Sequence, residues 1–359
     1  METTVETSKQ KEILEESLHN KLENRQGRIN ETLESIEFEG RRLEDFIVPS
    51  SSLEFESNGS LKVRNFDNEP TAFHSHALAQ LSERFEIPTK YTRFLNSQGE
   101  WGAQLLENIF DEHRVNLPKK RFLFRKVEDE IKGVLSDRYK ILNTILLMEA
   151  FLQAVGQSGA QVIDAAHGDT KSYMEAIIPS VVPIPTENNG THYSVPGVQL
   201  RNSDFGDGAM EIKAFLMNVV CENGMVGKRF MREIHLGKQL PDFLSNQTIQ
   251  KETEMLVSAV TDYSNLALSK DHIFQNFERI KELSAVEVDM QEEIKKLPKI
   301  GLTKDESAMT EKKLLENNPE DGIQGKNTKL KLVNAVTSTA NEIKSQERKR
   351  EIQELASIL

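Results

Sequence analysis

Apolar residues at Ile13, Leu14, Leu18, Leu22, Ile29, Leu33 and Ile36 recur at mostly helical intervals in a background of Glu, Lys, Asn and Gln. The pattern predicts an amphipathic helix, or a pair of helices, over residues 1–48. Its narrow stripe leaves two readings open, a docking or assembly element and a loosely packed arm. Pro49 to Ser52 breaks the pattern and marks an expected boundary. Residues 53 to 70 then read as short strands, with turn signals at Asn58-Gly59 and Asp67-Asn68.

Helical spacing returns at 73–85, 88–96 and 100–114, through Ala77, Leu78, Leu81 and Phe85, then Leu105, Leu106, Ile109 and Phe110, with Pro88 placed to open the second helix. Lys90, Tyr91 and Arg93 give that helix a faint likeness to a groove-reading element, but a packing subdomain is the simpler reading. The period changes again at Arg121–Val127, an acidic turn and Ile131–Ser136, which together predict a β-hairpin. A helix over about 144–156 closed by Gly156 follows, then strands at 160–165, 171–178 and 196–202. The run from Ala209 to Val220 reads as a strand continuing into a buried helix, a division that pattern alone does not fix.

Beyond Gly237 the text is mostly helical, with helices at 246–266, 271–284 and 286–296, a polar stretch at 316–327 and a last helix from Thr328. The expected fold is α+β, a central largely antiparallel sheet with hairpins packed by helices, flanked by a helical N-terminal arm and a helical C-terminal region. The expected organisation is an arm at 1–48, a core at 53–240, a helical extension at 241–300, a polar linker at 301–327 and a C-terminal helix at 328–359.

The chain has 359 residues, 37% hydrophobic and 28% charged, with a formal net charge of −12. That charge argues against coating duplex DNA through the overall field, and leaves local basic patches as the relevant feature. No run of about 18 apolar residues is present to span a bilayer, and METTVETSKQKEILEE lacks the basic-then-apolar order of a secretory signal, so no membrane partner is expected. The single Cys221 sits in the apolar run FLMNVVC, where a small buried thiol is the ordinary occupant.

Catalytic motifs are missing. The eight histidines are scattered, only His74 and His76 lie close together, and neither CxxC nor HExxH occurs. No GxxxxGK[ST] or strand-linked GxGxxG is present, so neither cofactor nor metal is expected and no catalytic residue is assigned. Asp164 with Asp169, and Asp204 with Asp207, sit near strand ends where nuclease carboxylates can lie, but turn-capping aspartates account for such pairs more simply.

The basic residues do cluster. HRVNLPKKRFLFRK carries Arg114, Lys119, Lys120, Arg121, Arg125 and Lys126 without an acid. Strand alternation would set Arg121, Leu123 and Arg125 on one face and Phe122, Phe124 and Lys126 on the other, the two aromatics being either core or a stacking platform. Arg138 and Tyr139 follow, and GKRFMREIHLGK adds Lys228, Arg229, Arg232, His235 and Lys238. Cations lining a groove track a phosphate backbone, and exposed aromatics stack bases without sequence preference, a combination suited to single strands. The plainer reading pairs these cations with surface carboxylates.

Several phrases carry a resemblance, namely ALAQLSERFEIPTKY at 77–91, GVLSDRYKILN at 133–143, VPGVQLRNSDFGDGAMEIKAFLMNVVCENGMV at 195–226, IHLG at 234–237 and NAVTSTAN at 334–341. Together they resemble the phage/plasmid-like proteins built on a domain of unknown function, over about residues 70–345. The segment after NAVT departs from the family pattern, and the N-terminal arm lies outside the shared region. The resemblance implies a mobile-element setting of DNA replication, recombination or maintenance in the cytoplasm of a bacterial host, and supplies no catalytic residues. The resulting expectation is a non-enzymatic protein that binds single-stranded nucleic acid, as an accessory in annealing or recombination. The alternatives are an interaction or assembly factor that self-associates through its terminal helices, and a metal-dependent nuclease on the aspartate pairs.

Overall fold

Helix α1 (Glu2–Arg41) buries Leu18, Leu22, Ile29 and Ile36, spaced by four or seven residues so that they form one stripe. Leu18 and Leu22 pack on Ile177, Val195 and Phe215, and Ile36 joins Leu147 and Phe151. Residues 2–41 are therefore a packed helix, whereas the end of the segment expected to be helical, from Leu43, is a strand. The computed structural model describes residues 2–64, 70–116, 120–186, 190–219, 223–233, 246–315 and 327–359, with 2–6, 116, 223–229, 246–250 and 252 described by their backbone alone. The expected turn at Asp67-Asn68, the thiol of Cys221 and most of the polar stretch at 316–327 lie outside the described residues.

Two sheets form the centre of a mixed α+β fold. The first contains β1 (Leu43–Pro49), β2 (Glu54–Ser57), β3 (Leu61–Arg64), β4 (Thr71–Phe73), β5 (Arg121–Val127) and β6 (Glu130–Ser136), in the order β1-β5-β6-β4-β3-β2. Its pairs are antiparallel except β4 with β6. β1 and β2 form opposite edges, yet only four residues separate them in sequence. A flat sheet would hold its edges roughly 24 Å apart, whereas that connection reaches at most about 18 Å, so the sheet must curl. The Pro49–Ser52 break is the short 3-10 turn that closes this curl inside the sheet.

Helices α2 (Ser75–Arg84), α3 (Thr89–Asn96) and α4 (Glu100–Asn116) supply the core of the curl, close to the three expected spans. Phe85 lies 6.0 Å from Phe55, 5.3 Å from Phe110 and 5.9 Å from Phe122, ring centre to ring centre. Such pairs add about 0.5–1.5 kcal/mol each beyond the area they bury.

The second sheet is antiparallel throughout its described pairs. It contains β7 (Gln161–His167), β8 (Ser172–Ile177), β9 (Val182–Pro185), β10 (Thr191–Asn202), β11 (Met210–Asn218) and β12 (Asn223–Glu233), in the order β12-β11-β10-β8-β7, with β9 beside β10. The ambiguous run after Ala209 is a strand, buried along its whole length, which explains why it shows no alternation. One face carries Met174, Ala176, Val198, Leu200, Ile212 and Ala214 beneath α5 (Thr144–Gln157) and α6 (Asn246–Ala267).

The remaining helices are α7 (Lys270–Ala285), α8 (Met290–Ile300), α9 (Lys304–Leu315), α10 (Lys329–Asn341) and α11 (Gln346–Ala356). They share a core of Ile280, Leu297, Leu330, Val333, Val336 and Ile352. α9 occupies the front of the segment expected to be a linker, and the expected last helix is two helices. Thr328 caps α10 by accepting from the Lys331 amide, and Ser345 caps α11 by accepting from the Arg348 amide.

Candidate functional site

The hairpin β5–β6 forms as the alternation predicts, but both faces of β5 are covered. Phe122 and Phe124 lie in the aromatic core, so neither offers a stacking surface. On the opposite face Arg125 is 0% exposed. Its Nε donates to Asp45 Oδ1 at 2.8 Å, its Nη2 to Asn143 Oδ1 at 2.6 Å and its Nη1 to the Asp204 carbonyl at 2.6 Å. Lys126 is also buried, 3.9 Å from Glu44. These four residues are corrected from nucleic-acid contacts to interior positions: Phe122 and Phe124 fill the aromatic core, Lys126 is buried near Glu44, and Asp45, Asn143 and the β10–β11 turn enclose Arg125 on the side taken to be solvent.

Other members of the basic set are engaged with the protein. Tyr139 turns inward and donates to the Ser203 carbonyl at 3.1 Å, and burial pushes its pKa up. Arg114 lies 3.3 Å from Asp111, and Arg232 lies 3.3 Å from Glu211. Lys228 and Arg229 fall on β12, Arg229 opposite Lys213. Lys119, His235 and Lys238 lie outside the described residues. Lys140 Nζ sits 3.1 Å from Glu233 at the end of β12, so the two basic segments meet there at a neutralised seam.

Lys120, Arg121 and Arg138 reach solvent at one end of the hairpin, where the pairing of Phe122 with Ser136 sets them side by side. Lys120 Nζ lies 4.0 Å from Glu86, in the turn that leads into α3. There the surface changes character. α3 buries Thr92 and Leu95, leaving Lys90, Tyr91, Arg93 and Phe94 outward, with Tyr91 44% and Phe94 53% exposed. Trp101, the only tryptophan, is 53% exposed at the start of α4, and Leu105 follows one turn later.

The α3–α4 corner is tightly fixed. A Cβ on Gly102 would meet the Leu95 carbonyl oxygen at 2.0 Å, so the first turn of α4 crosses the last turn of α3 in direct backbone contact. Gly99 makes the turn between them with a φ of +69°. Phe94 and Trp101 immediately precede the two residues in contact, which holds both rings at the crossing. Sequence pattern gave no signal for this corner, since Tyr91 and Phe94 lie at helical intervals with Leu95, and Trp101 with Leu105 and Ile109, so both sets read as apolar stripes.

A second constellation joins the two sheets. Gln80 on α2 donates to the Phe205 carbonyl at 2.8 Å and accepts from the Val134 amide at 2.8 Å. Asp204 accepts from the Thr144 amide at 2.9 Å, and Asn202 donates to the Leu142 carbonyl and the Thr144 hydroxyl, each at 2.9 Å. Burial pushes the Asp204 carboxyl up, against the pull of Arg125. Gly206 holds a φ of +76°, and a Cβ there would strike Leu135 at 2.4 Å. Segments 77–91, 133–143 and 195–226 meet here, and these polar groups bond to one another.

The aspartate pairs do not converge. Asp164 bonds Arg28 at 2.7 Å and Arg350 at 3.3 Å, Asp204 is buried as above, Asp207 bonds Thr170 at 2.7 Å, and Asp169 lies 3.8 Å from His74. Among the described residues no three of His, Cys, Asp and Glu come together to hold a metal. No helix among the described residues is long and apolar enough to cross a membrane. No protein-family model, no curated protein and no solved structure matches the chain.

Proposed function

We propose that this protein binds single-stranded nucleic acid without catalysing a reaction, through the α3–α4 corner and the neighbouring end of the β5–β6 hairpin. The observation that carries the reading is the exposure of Tyr91, Phe94 and Trp101 beside the outward Lys90 and Arg93, with Lys120 and Arg121 continuing the cationic surface past Glu86. Large aromatics left in water lose the burial that would otherwise stabilise the fold, and base stacking recovers about 1–3 kcal/mol per base. Cations beside them neutralise phosphates, which lets a chain of net charge −12 bind a polyanion locally. The resemblance to phage/plasmid-like proteins supports a role in replication or recombination of a mobile element.

A fluorescence-anisotropy titration with a single-stranded oligonucleotide at two salt concentrations tests this. Binding that weakens as salt rises supports it, and no binding at low salt removes it.

The second reading is a protein-docking surface, favoured by the same exposed tryptophan and phenylalanine, residue types enriched at interface hot spots. The buried stripe of α1 is already used within the chain, so self-association through that helix would rest on its exposed Ile13 and Phe38. Light scattering of the intact chain and of a Phe94→Ala, Trp101→Ala variant separates the two. A mass that falls in the variant, with no oligonucleotide bound by either, favours docking.

A further inference from the structure

Independently of the α3–α4 corner, one edge of the first sheet stands open. β1 pairs with β5 from Leu43 with Val127 to Pro49 with Arg121, without a shift of register. The Ser50 amide donates to the Lys120 carbonyl, which fixes the phase of the ladder. Hydrogen-bonded pairs recur at every second residue of an antiparallel ladder, so Val48, Phe46 and Glu44 turn their amides and carbonyls toward β5. Leu43, Asp45 and Ile47 turn theirs away. β1 is the last strand on that side of the sheet, and among the described residues nothing pairs with these outward backbone groups.

An open edge is a template for another strand, and folded proteins guard such edges by shortness, bulges, proline or unpaired charge. β2, the opposite edge, is only four residues long. β1 runs for seven with a regular ladder. Its acids are neutralised within the chain, Asp45 by the two bonds from Arg125 and Glu44 by Lys126 at 3.9 Å. Its proline, Pro49, is the last residue and lies past the outward amides of Asp45 and Ile47. Along the same strand Ile47 is 49% exposed, and Phe46 and Val48 are half-buried at the rim of the aromatic core.

We propose that this edge is a self-association surface, on which β1 of a second copy of the chain pairs antiparallel about a two-fold axis. The strand is its own complement. With Phe46 set opposite Phe46 of the second copy, Asp45 falls opposite Ile47 and Glu44 opposite Val48, so no like charges meet. The outward amides of Asp45 and Ile47 then donate to each other's carbonyls across the axis, in both directions. Phe46 occupies a position without ladder bonds, where facing side chains come closest, and the pair covers apolar surface that the edge leaves in water. A shift that sets Asp45 opposite Asp45 brings two carboxylates together, which disfavours it. A two-fold contact uses the same patch on both chains and closes at a dimer. Because one strand pair is a small interface, the dimer forms and dissociates with concentration.

The test is sedimentation equilibrium of the intact chain from about 1 µM to about 0.5 mM, in salt that screens the repulsion between two copies of net charge −12. Deuterium uptake at 43–49 is followed over the same range. Ile47→Pro removes an outward donor and leaves the ladder to β5 whole, and Ile47→Lys places a charge on the edge. Circular dichroism checks that both variants fold. The expected result is a mass that rises from one chain toward two, uptake at 43–49 that slows as the mass rises, and association roughly tenfold weaker or more in each variant. A chain that stays monomeric overturns the proposal and leaves the edge to a strand from another protein. A mass that passes two chains, or a dimer unchanged in both folded variants, overturns it as well. The Phe94→Ala, Trp101→Ala variant should dimerise as the parent chain does, so failure of the nucleic-acid reading and failure of this one are separate results.

Discussion

Arg125 and Asp45 face each other across β5 and β1, joined by two hydrogen bonds of 2.8 and 3.2 Å, with the arginine wholly out of solvent. The pair shows why charge clustering in a sequence is an uncertain guide to a surface. Removing one partner of a buried ion pair leaves an uncompensated charge and typically costs 3–5 kcal/mol. Arg125→Ala is expected to lose stability of that order in urea denaturation, while Arg121→Ala, exposed four residues earlier in the chain, changes it by less than about 0.5 kcal/mol.

Salt dependence separates the contacting cations from the buried ones. On single strands each neutralised phosphate contributes about 0.7 to the slope of log K against log salt. Arg93→Ala and Arg121→Ala should each lower that slope by roughly this amount. Arg232→Ala, whose guanidinium already faces Glu211 at 3.3 Å, should leave it unchanged. Anisotropy titrations at four or five salt concentrations provide the slopes.

The crossing of α3 and α4 depends on a hydrogen atom in place of a side chain. Gly102→Ala would set a methyl group 2.0 Å from the Leu95 carbonyl oxygen, a contact with backbone that no rotamer relieves. Overpacking of this kind costs roughly 1–3 kcal/mol. Tm should fall in the variant, and oligonucleotide affinity should fall with it, because the rings of Phe94 and Trp101 are placed by that crossing.

Acid should loosen the C-terminal helices through one carboxylate. The Arg348 guanidinium grips Glu306 with bonds of 2.8 and 2.7 Å, and this hydrogen bonding, aided by the Thr303 amide, holds the carboxyl at about 2, below its usual 4.5. A depressed carboxyl contributes its stability above the unfolded pKa and loses it as pH falls toward the folded one. The contribution is therefore complete above about pH 5 and lost between about pH 4.5 and 2. Glu306→Gln should be less stable at pH 7 and show a smaller loss across that window, by circular dichroism of denaturant unfolding at stepped pH.

Much of the fold could be read from local pattern. The hairpin at 121–136, helices α2 to α5 and the helical spans of α6 and α7 follow from apolar period and turn residues, while α9 and the break between α10 and α11 did not. β9 escaped because Pro183 and Pro185 occupy half of it, and β12 because Lys228, Arg229 and Arg232 give it the look of a surface loop. Arg125 was expected at the surface for one physical reason. Alternation shows that two faces of a strand differ, but not whether the second face meets water or a second sheet. On β5 it meets Asp45, Asn143 and the Asp204 carbonyl. The α3–α4 corner was not legible, because Tyr91 and Phe94 with Leu95, and Trp101 with Leu105 and Ile109, have the spacing of buried stripes although the aromatics are exposed.

The most direct measurement uses Trp101, the one tryptophan of the chain and a member of the proposed stacking surface. Its emission is followed while oligo(dT) is added at low salt, and then while salt is raised. Stacking predicts saturable quenching that salt reverses, with affinity about 5- to 150-fold weaker in Phe94→Ala at unchanged Tm. Emission that stays constant through an excess of oligonucleotide would contradict the account.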